Sequence, residues 1–178
     1  MYADMFILFF SIIAVAVAAD QITKYIISAN FEVGESLDVI KGVFRFTYVR
    51  NEGAAFGMLA NHRWVFLLLS SVAIAAIIFY FIKYRPESKW TVCALALITS
   101  GGIGNMIDRI RLKYVIDMCD FYAFGKYWKW VFNLADACVC VGAVMLALWL
   151  LSDTVAESRR EKTVNNGNDA KDGNGNNQ

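Results

Sequence analysis

Gly101-Gly102-Ile103-Gly104-Asn105-Met106-Ile107-Asp108-Arg109, Val115-Ile116-Asp117 and Phe132-Asn133-Leu134-Ala135-Asp136 set three aspartates, two asparagines and an arginine among residues that otherwise leave water. The last of these segments opens the run 130–151, which is apolar enough to cross a bilayer. An ionisable side chain at that depth is costly unless it is paired or at work, so the stretch is a candidate functional site in a membrane protein.

The rest of the chain agrees with that class. Of its 178 residues, 58% are hydrophobic and one is proline. A helix needs about 20 residues to cross about 30 Å of hydrocarbon. Four apolar runs predict spans at about 5–27, 64–82, 90–107 and 130–151, hence an all-α membrane protein with four transmembrane helices. Residues 1–155 are expected to form one four-helix domain. Residues 156–178 read as a disordered polar tail, because from Val164 onward there is little to bury. Trp64, Trp90, Trp128 and Trp130 flank span starts and Trp149 sits at the last span's end, where indole rings prefer the headgroup level. Ala16-Val17-Ala18 has the pattern of a signal-peptide cleavage site, but Asp4 precedes the first apolar run and no Lys or Arg does, so a retained span is expected.

The net charge of +1 argues against a nucleic-acid partner. Cys93, Cys119, Cys138 and Cys140 form no CxxC pair and read as small apolar fillers.

Asp20 and Lys24 close the first span four residues apart, on one helix face where they can pair. A structural or lipid-contacting role suits both. In the loop 29–63, residues 43–50 alternate in period two. Phe44, Phe46 and Tyr48 share one face, which predicts a strand in a small membrane-surface β-sheet anchored by its aromatics. Asn51-Glu52-Gly53-Ala54-Ala55-Phe56-Gly57 reads equally as a small-residue turn or as a backbone that a ligand can approach. Residues 83–89 form a short basic hairpin. Gly101, Gly102 and Gly104 suggest close helix packing. Asn105, Asp108 and Arg109 cluster on one face, with Asp108 and Arg109 expected to form an ion pair.

Alternating spans bring Asp20, Asn51, Asn105, Asp108, Asp117, Asn133 and Asp136 to one side of the membrane. The basic hairpin and tail lie on the other, which leans towards the cytoplasm by the positive-inside rule. The lone histidine, His62, and filler cysteines give no zinc ligand set, so neither metal nor cofactor is expected. For nucleophilic catalysis Ser100 would have to pair with Lys24 or the distant His62, which disfavours that reading. Two carboxylates remain. Asp117 follows span three and Asp136 starts span four; close together in a poorly solvated pocket they cannot both ionise, so they could share one proton. Asn133, three residues earlier on what would be the same helix face, could fix a carboxylate, bind substrate backbone or simply hold helices together.

These residues resemble a known family. Over residues 1–155 the chain is similar to the lipoprotein signal peptidases (signal peptidase II) of bacteria, through Asp20-Gln21-Ile22-Thr23-Lys24, the segments 51–57 and 101–109, Val115-Ile116-Asp117 and the segment 132–136. The resemblance implies an intramembrane aspartyl endopeptidase that removes the signal peptide from prolipoproteins on the N-terminal side of a diacylglyceryl-modified cysteine. It implies a multi-pass protein of the bacterial cytoplasmic (inner) membrane, with both termini cytoplasmic and the active site near the outer, periplasmic face. Asp117 and Asp136 match the catalytic pair. Asp20, Lys24, Asn51, Gly53, Asn105, Asp108, Arg109, Asn133 and Ala135 match positions of substrate binding or structural support. The implied partners are diacylglyceryl-modified prolipoproteins, membrane lipid and cyclic lipopeptide inhibitors of the globomycin type. One departure is that Met118 and Cys119 follow Asp117 where the family usually has an aromatic; Asp120, before Phe121, is a rival for the role of Asp117, although the Val-x-Asp register favours Asp117. A transporter or channel would place such groups near the midplane, often between internal repeats, and no repeat is visible. In a non-enzymatic assembly factor the cluster would be packing glue.

Overall fold

Four proline-free apolar runs become four helices: α1 (Tyr2–Asn30), α2 (Arg63–Tyr84), α3 (Lys89–Arg111) and α4 (Leu134–Asp172). The computed structural model describes residues 2–53, 63–123 and 130–172; Ala54 to Gly57, His62 and Trp128, used in the sequence reading, lie outside them. Each helix holds a stretch long and apolar enough to cross a membrane. The one proline, Pro86, falls in the turn between α2 and α3, after Arg85 at φ 48°. Ser88 then caps α3, its Oγ accepting from the Thr91 amide at 3.3 Å. α4 starts at Leu134 rather than at 130 and carries its backbone to Asp172, into the stretch read as a polar tail. Ala, Glu, Arg and Lys between 156 and 162 are good helix formers, which suits that continuation.

α3 is the centre of the bundle. It is the least apolar span, with a mean hydropathy of 1.4 against 2.2 or more, yet 56% of it is buried against 17% or less for the others. Its neighbours are protein on three sides, because α1, α2 and α4 all pack on it. Small residues allow the α3–α4 approach. A Cβ added at Gly101 would run into the Ala135 carbonyl; at Gly142 it would lie 2.7 Å from the Ala94 carbonyl and 3.0 Å from the Ile98 amide nitrogen. At the opposite end from the polar cluster, Phe9 and Phe81 stack with centroids 4.2 Å apart among Met5, Val92 and Leu95.

The sheet is larger than the sequence reading made it. Strands β1 (Ser36–Ile40) and β2 (Phe44–Asn51) come from the first loop, as expected. Strands β3 (Val115–Asp120) and β4 (Val131–Phe132) come from the second, and the antiparallel order is β1-β2-β3-β4. The pairing of β2 with β3 shifts register between Phe46 and Val49, but Phe46 and Tyr48 stay on one face of β2. Tyr48 is not a membrane anchor, because the face it shares with Phe46 docks on the protein: it is 3% exposed and packs with Ile27, Ile116 and Met118. Leu37, Val39 and Ile40 on edge strand β1 are the exposed apolar residues instead.

Gly142 lies away from the polar cluster and tests the helix packing alone. Gly142→Val is expected to cost about 1–3 kcal/mol of stability through overpacking. A lower thermal midpoint in detergent checks it; an unchanged midpoint means that α3 and α4 do not pack this closely.

Candidate active site

The end of α1 supplies a pair of opposite charges one helical turn apart. Lys24 Nζ lies 2.9 Å from Asp20 Oδ2 and 3.0 Å from Asp108 Oδ2, with all three side chains almost fully buried. Gln21 donates to Asp108 Oδ1 at 3.0 Å and, at 3.2 Å, to Asp20 Oδ2 and the Gly104 carbonyl. Gln21 was missed as a site residue in the sequence; its place directly after Asp20, at the close of an apolar run, was the available signal. Asp108 Oδ2 also accepts from the Ile116 amide at 3.1 Å, so α3 holds the start of β3. The expected Asp108–Arg109 ion pair is not formed. Adjacent helical residues do not face each other; Asp108 turns to Lys24, and Arg109 lies 4.9 Å over the Phe66 ring with a 3.5 Å contact to the Asn105 carbonyl.

Asp20 reaches across to α4. Its Oδ1 accepts from the Ala135 amide at 2.9 Å, in the first turn of α4, where backbone N–H groups lack helical partners. Gly104 makes room, since a Cβ there would come within 2.5 Å of Asp20 Oδ2.

Asn133 does not share a helix face with Asp136, as the sequence reading had it. It is the N-cap. Its Oδ1 accepts from the Asp136 amide at 2.9 Å, and Asp136 Oδ2 accepts from the Asn133 amide at 3.4 Å. This is the reciprocal capping arrangement of an N-cap and an acidic residue three positions on. The cap frees the Asn133 NH2 to donate to Asp117 Oδ1 at 2.6 Å and to Asn105 Oδ1 at 3.1 Å. Asn133 thus touches both carboxylates. Asn105 completes the link, donating to Asp136 Oδ1 at 2.7 Å.

Asp117 comes from β3 rather than from a helix. Asn51, at the end of β2, donates to its Oδ2 at 2.9 Å, and the buried Gly53 donates its amide to Asn51 Oδ1 at 3.1 Å. Burial, and then the nearby charge of Asp136, push the Asp117 carboxyl up to about 7, against the opposing pull of Asn51, Asn133 and Lys24. Near neutrality such a carboxyl is protonated in part of the molecules, so Asp117 can hold a proton beside Asp136. The pair can remove a proton from water and polarise a carbonyl at once. Asp120 sits elsewhere: its Oδ2 accepts from Arg45 Nε at 2.7 Å and Thr47 Oγ1 at 3.1 Å.

Known proteins share this arrangement of sequence and fold. The model of a family described as signal peptidase (SPase) II matches residues 12–152. The lipoprotein signal peptidase of Geobacter metallireducens is 42% identical over 154 residues, 84% of this chain and 94% of that protein. That of Bacillus pumilus is 42% identical over 147 residues, 82% and 94% of the two chains. Among solved structures, a bacterial membrane enzyme obtained by the in meso method at 2.3 Å superposes with a TM-score of 0.77 at 33% identity, covering 82% of this chain and 88% of its own.

Asn133→Ala is expected to lose about 1 kcal/mol from the missing cap. Asn133→Ser, which keeps a capping oxygen, should recover most of that loss. Thermal unfolding in detergent measures both; equal midpoints for the two variants would contradict the capping role.

Proposed function

The chain belongs to the signal peptidase II family and is a peptidase of lipoprotein maturation, and from there we propose that it is an intramembrane aspartyl endopeptidase whose catalytic pair is Asp117 and Asp136. The observation that carries this reading is the single residue Asn133 hydrogen-bonded to both carboxyl groups, through its side-chain NH2 to Asp117 and its backbone amide to Asp136. Residues 1–155 are proposed to carry the activity.

The mechanism follows from the unequal surroundings of the pair. Asp117 holds the shared proton and Asp136, met by the Asn105 NH2, carries the charge. Asp136 takes a proton from water as the water oxygen bonds to the scissile carbonyl carbon. Asp117 gives its proton to the carbonyl oxygen, producing a neutral gem-diol. On collapse Asp117 takes back a proton from a gem-diol hydroxyl while Asp136 passes its proton to the leaving nitrogen. The C–N bond breaks, and the pair again holds one proton and one charge.

The substrate bond is proposed to be the one on the N-terminal side of a diacylglyceryl-modified cysteine. The polar cluster lies at the ends of the spans, beside a sheet whose edge strand exposes Leu37, Val39 and Ile40. A doubly acylated substrate can keep its chains in lipid while its peptide bond sits at that level, and each buried methylene contributes about 0.8 kcal/mol. Four spans put the N-terminus and the end of α4 on one side, together with Lys83, Arg85 and Lys89. Positive residues favour the cytoplasm, which supports cytoplasmic termini in the inner membrane and a site near the outer face. A cyclic lipopeptide of the globomycin type is proposed to inhibit by setting a polar group against Asp117 and Asp136.

The purified chain, incubated with a diacylglyceryl-modified prolipoprotein, should release the signal peptide, and the unlipidated precursor should be cut far more slowly. Asp117→Asn and Asp136→Asn should each lower cleavage by at least about 100-fold with the fold intact, whereas Asp120→Asn should stay active. Wild-type turnover in either Asn variant overturns the pair; equal rates for the two precursors overturn lipid recognition.

The pH profile has a definite sign. A raised carboxyl pKa means that the shared proton is held below about pH 7 and lost above it. The rate should therefore fall on the alkaline side, approaching about tenfold per pH unit. A rate that keeps climbing from pH 7 to 9 would mean that no proton is shared.

A further inference from the structure

The steps above make no use of Lys24, whose ammonium lies within the cluster. Its Nζ meets Asn105 Oδ1 at 3.1 Å as well as Asp20 and Asp108. An ammonium has three protons and no lone pair, so these three acceptors use its bonding capacity in full. Resting on the carboxylate-pair reading, we propose that Lys24 is a positioning residue: by occupying the oxygen of the Asn105 carboxamide, it fixes that group with its NH2 towards Asp136.

A carboxamide can present either end. In the observed orientation Asn105 Oδ1 accepts from Lys24 and from the Asn133 NH2, while its own NH2 donates to Asp136 Oδ1 at 2.7 Å. Turned over, it would set NH2 against an ammonium and against a second NH2, and its oxygen against a carboxylate. Buried donors and acceptors left without partners are strongly disfavoured. Lys24 thus leaves Asp136 Oδ1 engaged and, among the described residues, Oδ2 with only the 3.4 Å hydrogen bond from the Asn133 amide. Oδ2 is the oxygen free to take the proton from water.

The charge acts in the same place. The Lys24 ammonium favours the ionised form of Asp117, opposing Asp136. Asp20 and Asp108 face Lys24 directly, Arg109 acts electrostatically on both Asp117 and Asp136, and Arg111 and Tyr25 share with Lys24 a cleft of about 110 Å³. Removing Lys24 takes away a positive charge, so Asp117 should hold its proton to higher pH.

The test uses the full chain in detergent with the lipidated precursor, reading kcat, KM, the alkaline limb and the thermal midpoint. Lys24→Met should lower kcat about 10- to 100-fold at little change in KM and move the alkaline limb upward. Lys24→Arg, which keeps the charge, should return the limb towards its original position. In an Asn105→Ala background, Lys24→Met should have little further effect on kcat, because the two act through one contact. Should Lys24→Met give no folded protein, Lys24→Gln, which keeps a donor for the aspartates and loses the charge, replaces it under the same expectations. Wild-type kcat with an unmoved limb overturns the proposal, and so does a loss wholly accounted for by unfolded protein. Asp117→Asn and Asp136→Asn serve as controls: activity in either removes the carboxylate pair, whereas inactive controls beside an unaffected Lys24 variant remove the positioning role alone.

Discussion

The Asp20 carboxylate holds the ends of three helices together. It starts on α1, accepts the Ala135 amide of α4 on one oxygen, and lies on the other against Lys24 and the space left by Gly104 of α3. At membrane depth no bulk water can satisfy the first N–H groups of α4, so protein must do it. A carboxylate at a helix N-terminus is also favourable to the local dipole. The same contact fixes where α4 begins, and so where Asp136 stands. A buried charge stripped of its partners is strongly destabilising, which makes Asp20, Lys24 and Asp108 one unit rather than three residues.

The two carboxylates proposed as the catalytic pair arrive on different kinds of element. Asp136 is carried by the first turn of a membrane helix, whereas Asp117 is carried by a strand whose neighbour, β2, lies on the far side of α2 and α3 in the sequence. Asn51 and Asn133 reach Asp117 from opposite sides, one from β2 and one from the α4 cap. The site therefore closes only when both loops have met in one sheet and that sheet has docked on the helix ends through Ile27, Tyr48, Ile116 and Met118.

The helices were legible in the sequence because hydropathy sums along the chain, and convergence of the polar residues followed from the alternation of spans. What sequence missed depends on register and on the far side of contacts. Asn133 read as helical because an apolar run surrounds it, and the two-residue strand β4 is too short to leave a pattern. Tyr48 reads as an outward aromatic because alternation gives the face of a strand and not what covers it, here Ile27 of α1 with Ile116 and Met118 of β3. The strand carrying Asp117 was read as a connection, although Val115-Ile116 carries a β-branched signal. Arg109 was paired with its chain neighbour, although a helix turns consecutive side chains away from each other.

The central position of α3 has a consequence for how the chain enters its membrane. Charged and polar residues lower a span's affinity for lipid, and α3 brings Asn105, Asp108 and Arg109 in its last turns and the lowest mean hydropathy of the four spans, 1.4. The helix before it has the highest, 2.7, and only residues 85–88 separate them. The pair is built to partition as one hairpin, with α2 supplying the affinity for lipid that α3 gives up. The polar groups of α3 then await α1 and α4 inside the bilayer, so lateral assembly of helices, rather than insertion, is the step at which the site is made.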